Sequence, residues 1–257
     1  MTVIIGVLCT DGVVIGSDSA ATFTAGPTRT VEQPVTKMFV VGEGEAIVAG
    51  TGAVGLGQRF TDVVDRISPK NDFRGNSALV NGKNISIAAI NDFTSTKAPP
   101  GHFGALVAFA SRGGCHLCEF GAADFQPELK TPEMWFVSMG CGQPLADPFL
   151  GLLRRVFFNG KQPSRSEGIF TALWALRHAI ELNTGGILGP PKIGVLDYDP
   201  TTKKGQARII PDTELQEHQN NIEEAEKYLA QYRDTINGCG QTATITAPPT
   251  PPNSRSD

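Results

Sequence analysis

Thr2 carries a hydroxyl and, once Met1 is removed, a free α-amine on the same residue. Threonine is small enough that removal of the initiator methionine is expected. The pair makes a compact acyl-transfer catalyst, because an α-amine with a reference pKa near about 7.7–8 is substantially neutral at cellular pH. It can take the hydroxyl proton as that oxygen attacks a carbonyl. A nearby positive charge is needed to keep the amine from protonating further, and that charge needs its own carboxylate. Asp18 and Lys37 have the required types, Asp18 at the end of the second strand of an N-terminal hairpin and Lys37 at the start of a third strand.

Other constellations carry less. Gly50-Thr51-Gly52-Ala53-Val54-Gly55 matches G-x-G-x-x-G between an apolar strand and a helix, the local context of a dinucleotide fingerprint. No second strand ending in an acid follows about 20 residues on, and Asp65 falls inside the expected helix. The glycines are read as a tight strand-to-helix turn, with no cofactor. Cys115-His116-Leu117-Cys118 resembles half of a metal knuckle, but no second Cys/His pair completes four ligands. Residues three apart on a strand also point to opposite faces. His178 has no Ser or Cys motif beside it, and no G-x-S-x-G elbow is present.

The elements that must position these residues follow from their patterns. Residues 2–8 and 13–15 are β-branched and apolar around the turn Thr10-Asp11-Gly12, a hairpin at the start of the chain. Residues 22–33 are polar, with Gly26-Pro27 as a breaker. Short strands are expected at 37–41 and 46–49, a helix at 56–67, and strands at 103–110, 116–120 and 134–137. Residues 73–100 give no clear period. Helices follow at 148–158 and 166–182, the second opened by a Ser166 cap, then strands at 193–198 and 207–210. Leu215, Ile222, Ala225, Leu229, Tyr232 and Ile236 make an amphipathic stripe on a helix over 213–237, expected to pack on a neighbouring subunit. The Pro-rich end, 238–257, reads as a disordered tail. This order argues for an α+β chain with two sheets covered by helices, not an alternating βα barrel.

Several segments together carry a family resemblance: Thr2; Gly12-Val13-Val14-Ile15-Gly16-Ser17-Asp18-Ser19; Thr36-Lys37-Met38; Ala49-Gly50. Their order and spacing resemble the opening of a proteasome β-type subunit, closest in kind to the bacterial proteasome-like homologues and the peptidase HslV. Ser138-Met139-Gly140-Cys141-Gly142 resembles that family's G-S-G turn, and Glu181-Leu182-Asn183-Thr184-Gly185-Gly186 its D-x-x-S-G-G segment. The resemblance implies a four-layer αββα sandwich of the N-terminal-nucleophile (Ntn) hydrolase type over 1–212. It implies a threonine peptidase with Thr2 as nucleophile and base, Lys37 tuning the amine and Asp18 holding Lys37. The Gly50 amide would be the oxyanion donor, a role often worth a few kcal/mol. Cys141, Glu181 and Thr184 stand where the family has Ser, Asp and Ser, and would support the amine. It implies a homo-oligomeric ring enclosing its sites, a peptide or unfolded-protein substrate, and no metal or cofactor. No G-x-x-x-x-G-K-[ST] motif is present, so ATP-driven unfolding would come from a separate unfoldase.

Composition bounds these expectations. The chain has 257 residues, 40% hydrophobic and 19% charged, with a mean hydropathy of -0.10, values of a globular chain without a membrane span. A net charge of -4 argues against a general nucleic-acid surface. Five scattered cysteines suit reduced thiols in the cytoplasm better than a disulfide framework. Two other functions are open: a proteasome-like scaffold subunit that has lost or narrowed its activity, and an Ntn amidase acting on a small amide.

Overall fold

The computed structural model describes residues 1–25, 28–68, 73–98, 101–182 and 186–236. The first half holds β1 (Ile4–Cys9), β2 (Gly12–Ser17), β3 (Ala20–Ala25), β4 (Thr28–Pro34), β5 (Met38–Val41), β6 (Ala46–Gly52), α1 (Val54–Ile67) and α2 (Ala78–Ser95). Then come β7 (Phe103–Ser111), β8 (Gly114–Phe120), β9 (Pro127–Leu129), β10 (Phe136–Met139) and α3 (Gln143–Val156). The chain closes with α4 (Arg165–Leu182), β11 (Lys192–Asp199), β12 (Lys204–Ile209) and α5 (Asp212–Ile236).

Two antiparallel five-stranded sheets form, in the orders β10-β1-β2-β11-β12 and β5-β6-β7-β8-β9. They meet through β1, β2 and β11 against β6, β7 and β8. Strand β7 explains why its residues are apolar without alternation. Leu106 and Ala108 face the other sheet, whereas Ala105, Val107 and Phe109 belong to the cluster under α1 and α2. A strand buried on both faces reads as a continuous apolar run. Helices α1 and α2 lie on the β5–β9 sheet, α4 covers β1, β2 and β11, α3 contacts β10 and α4, and α5 lies on α4.

Several expectations change. The polar stretch at 22–33 is largely a two-stranded hairpin, β3 with β4, pairing Phe23 with Val31. Phe23 and Val31 are both exposed, so the strands show no buried apolar face that alternation could reveal. The ambiguous region holds α2, opened by Ser77, whose hydroxyl accepts from the Val80 amide at 3.4 Å. Its period is masked because Asn81 and Ser86 are buried on the core side, bonded to the carbonyls of Phe73 and Phe125 at 2.8 and 2.7 Å.

Helix α3 starts at Gln143, with Pro144 in its first turn and Pro148 inside it, where Pro148 was expected to open it. Helix α4 is opened by Ser164, not Ser166. The Ser164 amide and hydroxyl both donate to Glu167 Oε2, at 2.7 and 2.8 Å, and the Glu167 amide donates back to Ser164 Oγ at 3.4 Å, a capping box. The α5 stripe divides. Leu215, Ile222 and Ala225 are buried, Trp174 Nε1 of α4 donates to Glu226 at 2.9 Å, and Leu229, Tyr232 and Ile236 are exposed. Residues 238–257 lie outside the described residues.

Candidate active site

The pairing of β1 with β2 sets Ile4 opposite Ser17, which brings Thr2 and Val3 alongside Asp18 as the chain leaves β2. The Val3 amide donates to Asp18 Oδ1 at 3.0 Å and the Asp18 amide donates to the Val3 carbonyl at 3.2 Å. The Ala20 amide approaches Oδ2 at 3.4 Å. The carboxylate is thus aimed by backbone donors. Asp18 is only 1% exposed, so its charge requires a partner.

Lys37, immediately before β5, is that partner. Its Nζ donates to Asp18 Oδ1 and Oδ2 at 2.7 and 2.8 Å, to Thr2 Oγ1 at 3.1 Å, and to the Met1 carbonyl at 2.9 Å. The lysine side chain is 7% exposed. Burial pulls its ammonium below the ordinary lysine value of 10.5, opposed by the charge and hydrogen bonds of Asp18. Thr2, Lys37 and Asp18, distant in sequence, therefore form one connected cluster, as the first strand, the hairpin and β5 require.

The turn Gly140-Cys141-Gly142 closes over Thr2. The Gly142 amide donates to the Thr2 carbonyl at 3.1 Å, and the Thr2 amide donates to Cys141 Sγ at 3.1 Å. Gly140 has φ +95°, and a Cβ there would collide with the Thr2 carbonyl and lie 2.9 Å from Thr51 Oγ1. Only glycine brings this turn so close to Thr2. The role of Gly140 follows from that contact, which a sequence alone does not display. On the other side of the turn, Ser138 donates to Asp147, and Gln143 Nε2 donates to the same carboxylate at 2.9 Å.

Gly50 stands in β6 beside Lys37, and its amide donates to the Lys37 carbonyl at 3.2 Å. An oxyanion could reach that N–H only by sharing or displacing this long ladder bond. A Cβ on Gly50 would meet the Phe103 ring at 2.7 Å, and Gly52, at φ +110°, has its Cβ position filled by the His102 carbonyl. Sterics therefore account for glycine at the first two of the three positions of the G-x-G-x-x-G match, whereas a Cβ on Gly55 would meet nothing within 4 Å. Glu181 is not part of the cluster's hydrogen bonding. It is exposed in the last turn of α4, facing Arg177 at 3.8 Å. Thr184 lies outside the described residues. Cys115 and Cys118 part as strand geometry demands, Cys115 towards β11, where its thiol donates to the Leu196 carbonyl at 3.6 Å, and Cys118 into the cluster under α2.

Beside the cluster is a cavity of about 110 Å³ bordered by Lys37, Gly50, Val35, Val48, Val54 and Phe103. Phe103 is fixed in place by ring contacts with Phe60, Phe93 and Phe125. These residues come from four separate segments, and no sequence motif marks Val35, Val48 or Phe103.

Thiol chemistry separates the cysteines. Burial pushes the Cys115 and Cys118 thiols up to about 12 and raises Cys9 well above its ordinary value, whereas Cys141 is exposed. Iodoacetamide at mildly alkaline pH is therefore expected to label Cys141 before these three, since the thiolate is the reacting species. Peptide mapping by mass spectrometry reads the order, and earlier labelling of Cys115 would contradict the assignment.

The fold these elements make is one already seen in solved structures. One solved structure it resembles is a mutant of Anbu from Hyphomicrobium sp. strain MC1, with a TM-score of 0.67 and 12% identity over 95% of this chain and 100% of that one. At that identity the likeness speaks for the fold alone, and it does not single out HslV. No protein-family model and no curated protein matches the chain. Among the described residues no helix is long and apolar enough to cross a membrane.

Proposed function

We propose that the chain is a threonine peptidase that cleaves peptide bonds through an acyl ester on Thr2, formed once Met1 has been removed. The observation that carries this reading is the placement of Lys37 Nζ, 3.1 Å from Thr2 Oγ1 and held by both oxygens of buried Asp18. Without Met1, the Thr2 nitrogen is an amine, able to take the Oγ1 proton as the oxygen attacks a carbonyl. The fixed Lys37 charge disfavours a second cation at that amine and steadies the negative charge that develops on the substrate. The same amine then returns the proton to the departing nitrogen, and water completes the cycle by releasing the ester. Gly50 supplies the oxyanion donor when its amide yields the bond to Lys37. Cys141 replaces an oxygen at the amine, and the apolar cavity beside Gly50 receives the side chain on the acyl side of the cleaved bond. Glu181 and Thr184 would support the amine indirectly, through the chain segment that joins α4 to β11.

The helices against both sheets support the four-layer αββα sandwich. The exposed Leu229, Tyr232 and Ile236 on α5 support a homo-oligomeric ring in which this helix packs on a neighbour. A second reading, a scaffold subunit of narrowed activity, is favoured by the sulfur at Cys141 and by the outward placement of Glu181. The test is hydrolysis by the chain lacking Met1, with unfolded protein, short peptides and small amides compared. Cleavage of peptides supports the proposal. Turnover of small amides alone would replace it with amidase activity, and no turnover would leave the scaffold.

The pH dependence has a definite sign. Lys37 acts as its protonated form, and burial lowers its pKa from 10.5. As pH rises through that lowered value the charge is lost and the rate falls. The alkaline limb of kcat/KM is expected below pH 10.5, and a profile that stays flat through that pH would contradict the role given to Lys37.

A further inference from the structure

The side chain of Met1 occupies a seat of its own. It is half-buried, packs on the edge of the main core cluster and lies against Gly186, on the side of Gly186 that Thr22 Oγ1 also approaches. Gly186 has φ +92°, and a Cβ there would collide with Met1 Cε and stand 2.8 Å from Thr22 Oγ1. The absence of a side chain at 186 is therefore what makes the room. Thr22 Oγ1 donates to the Gly186 carbonyl at 3.1 Å, which ties one wall of the seat to β3 and uses the hydroxyl's hydrogen.

The seat and the acyl-side cavity are separated by β3. Ala21 borders the cavity beside Gly50, while Thr22 Oγ1 is turned to Gly186, against which Met1 lies. Successive side chains on a strand point to opposite faces, so the two receptacles lie on opposite faces of one strand. Lys37 Nζ reaches both Thr2 Oγ1 and the Met1 carbonyl, which puts the nucleophile at the junction between them. A peptide cleaved at Thr2 must direct its acyl side one way and its departing amine the other.

We infer that the seat emptied by loss of Met1 is the subsite for the first residue of the departing amine, and that it accepts an unbranched apolar side chain such as that of methionine. This deepens the peptidase reading and rests on it for the direction of the bound peptide. The selectivity has a physical source. A methionine-like chain regains the apolar contacts Met1 makes now, whereas a carboxylate would leave water with the Thr22 hydroxyl hydrogen already engaged.

The test uses the full chain with Thr2→Ala, released without Met1 by cleavage of an N-terminal fusion, so that binding is read without turnover. The probes are Met-Gly-Gly amide and Glu-Gly-Gly amide, which mimic the departing product, followed by ligand-observed NMR and calorimetry. Met-Gly-Gly amide is expected to bind about tenfold or more tightly than Glu-Gly-Gly amide. The same Thr2→Ala chain with Met1 retained should lose that binding, because its own methionine fills the seat. Equal affinity for the two peptides, or binding unaffected by Met1, would overturn the inference. Peptide turnover by the unsubstituted Thr2 chain, measured in parallel, bears on the peptidase reading separately, so the failure of one is told from the failure of the other.

Discussion

Thr2→Ala, assayed without Met1, is expected to lower peptide hydrolysis by roughly 10³- to 10⁶-fold, the range seen when a nucleophile that acts as part of a unit is removed. Its thermal stability should change little. The Thr2 side chain is half-buried and Oγ1 has Lys37 as its hydrogen-bond donor at 3.1 Å, so the structural loss is about 1 kcal/mol. Lys37 retains Asp18 after the substitution, and the turn at Gly142 is held by the Thr2 backbone carbonyl, which alanine also has. A large fall in rate with an unchanged fold separates chemistry from folding. Hydrolysis that survives Thr2→Ala would require another nucleophile, and Cys141, whose Sγ lies 3.1 Å from the Thr2 nitrogen, would be the first to replace in turn.

Asp18→Asn is expected to damage both stability and activity. The ion pair it breaks is almost wholly buried, with side-chain exposures of 7% for Lys37 and 0% for Asp18. Removing one partner of such a pair leaves an uncompensated charge and costs about 3–5 kcal/mol. Asparagine could still accept from the Val3 amide, but its NH₂ group would then face the Lys37 ammonium. The matched double variant, Asp18→Asn with Lys37→Met, removes the charge as well. It is expected to recover much of the stability and none of the hydrolysis, and urea denaturation with a double-mutant cycle measures the coupling. If Asp18→Asn alone changed stability by less than about 1 kcal/mol, the pair would be no more than a surface contact in energetic terms.

The cluster was legible in the sequence because each member sits at the boundary of a recognisable element. Thr2 precedes an apolar strand, Asp18 ends its hairpin partner, and Lys37 opens β5. Sheet β6–β8 and helix α1 were legible for the same reason, from runs and periods that burial enforces. What escaped was structure whose physics is not local. The β3–β4 hairpin has Phe23 and Val31 facing outward, so it lacks the alternation that marks a half-buried strand. Helix α2 buries Asn81 and Ser86 by bonding them to distant carbonyls, which erases its apolar period. Helix α4 is opened by Ser164, two residues before the expected Ser166 cap, because the reciprocal bonds with Glu167 form there. The contact that requires glycine at 140 and the walls of the apolar cavity depend on segments brought together only by folding. Gly50 was legible as a position, but its ladder bond to Lys37 appears only once the register of β5 on β6 is known.

The central claim is that Thr2, freed of Met1, is a nucleophile whose amine and hydroxyl act together. The most direct measurement is the intact mass of the untagged protein before and after a peptide epoxyketone, which needs both groups of a terminal threonine. The account predicts a species lighter by one methionine that gains one inhibitor, and no gain in the Thr2→Ala protein. A chain that loses Met1 and forms no adduct, or an adduct that persists in Thr2→Ala, would contradict it.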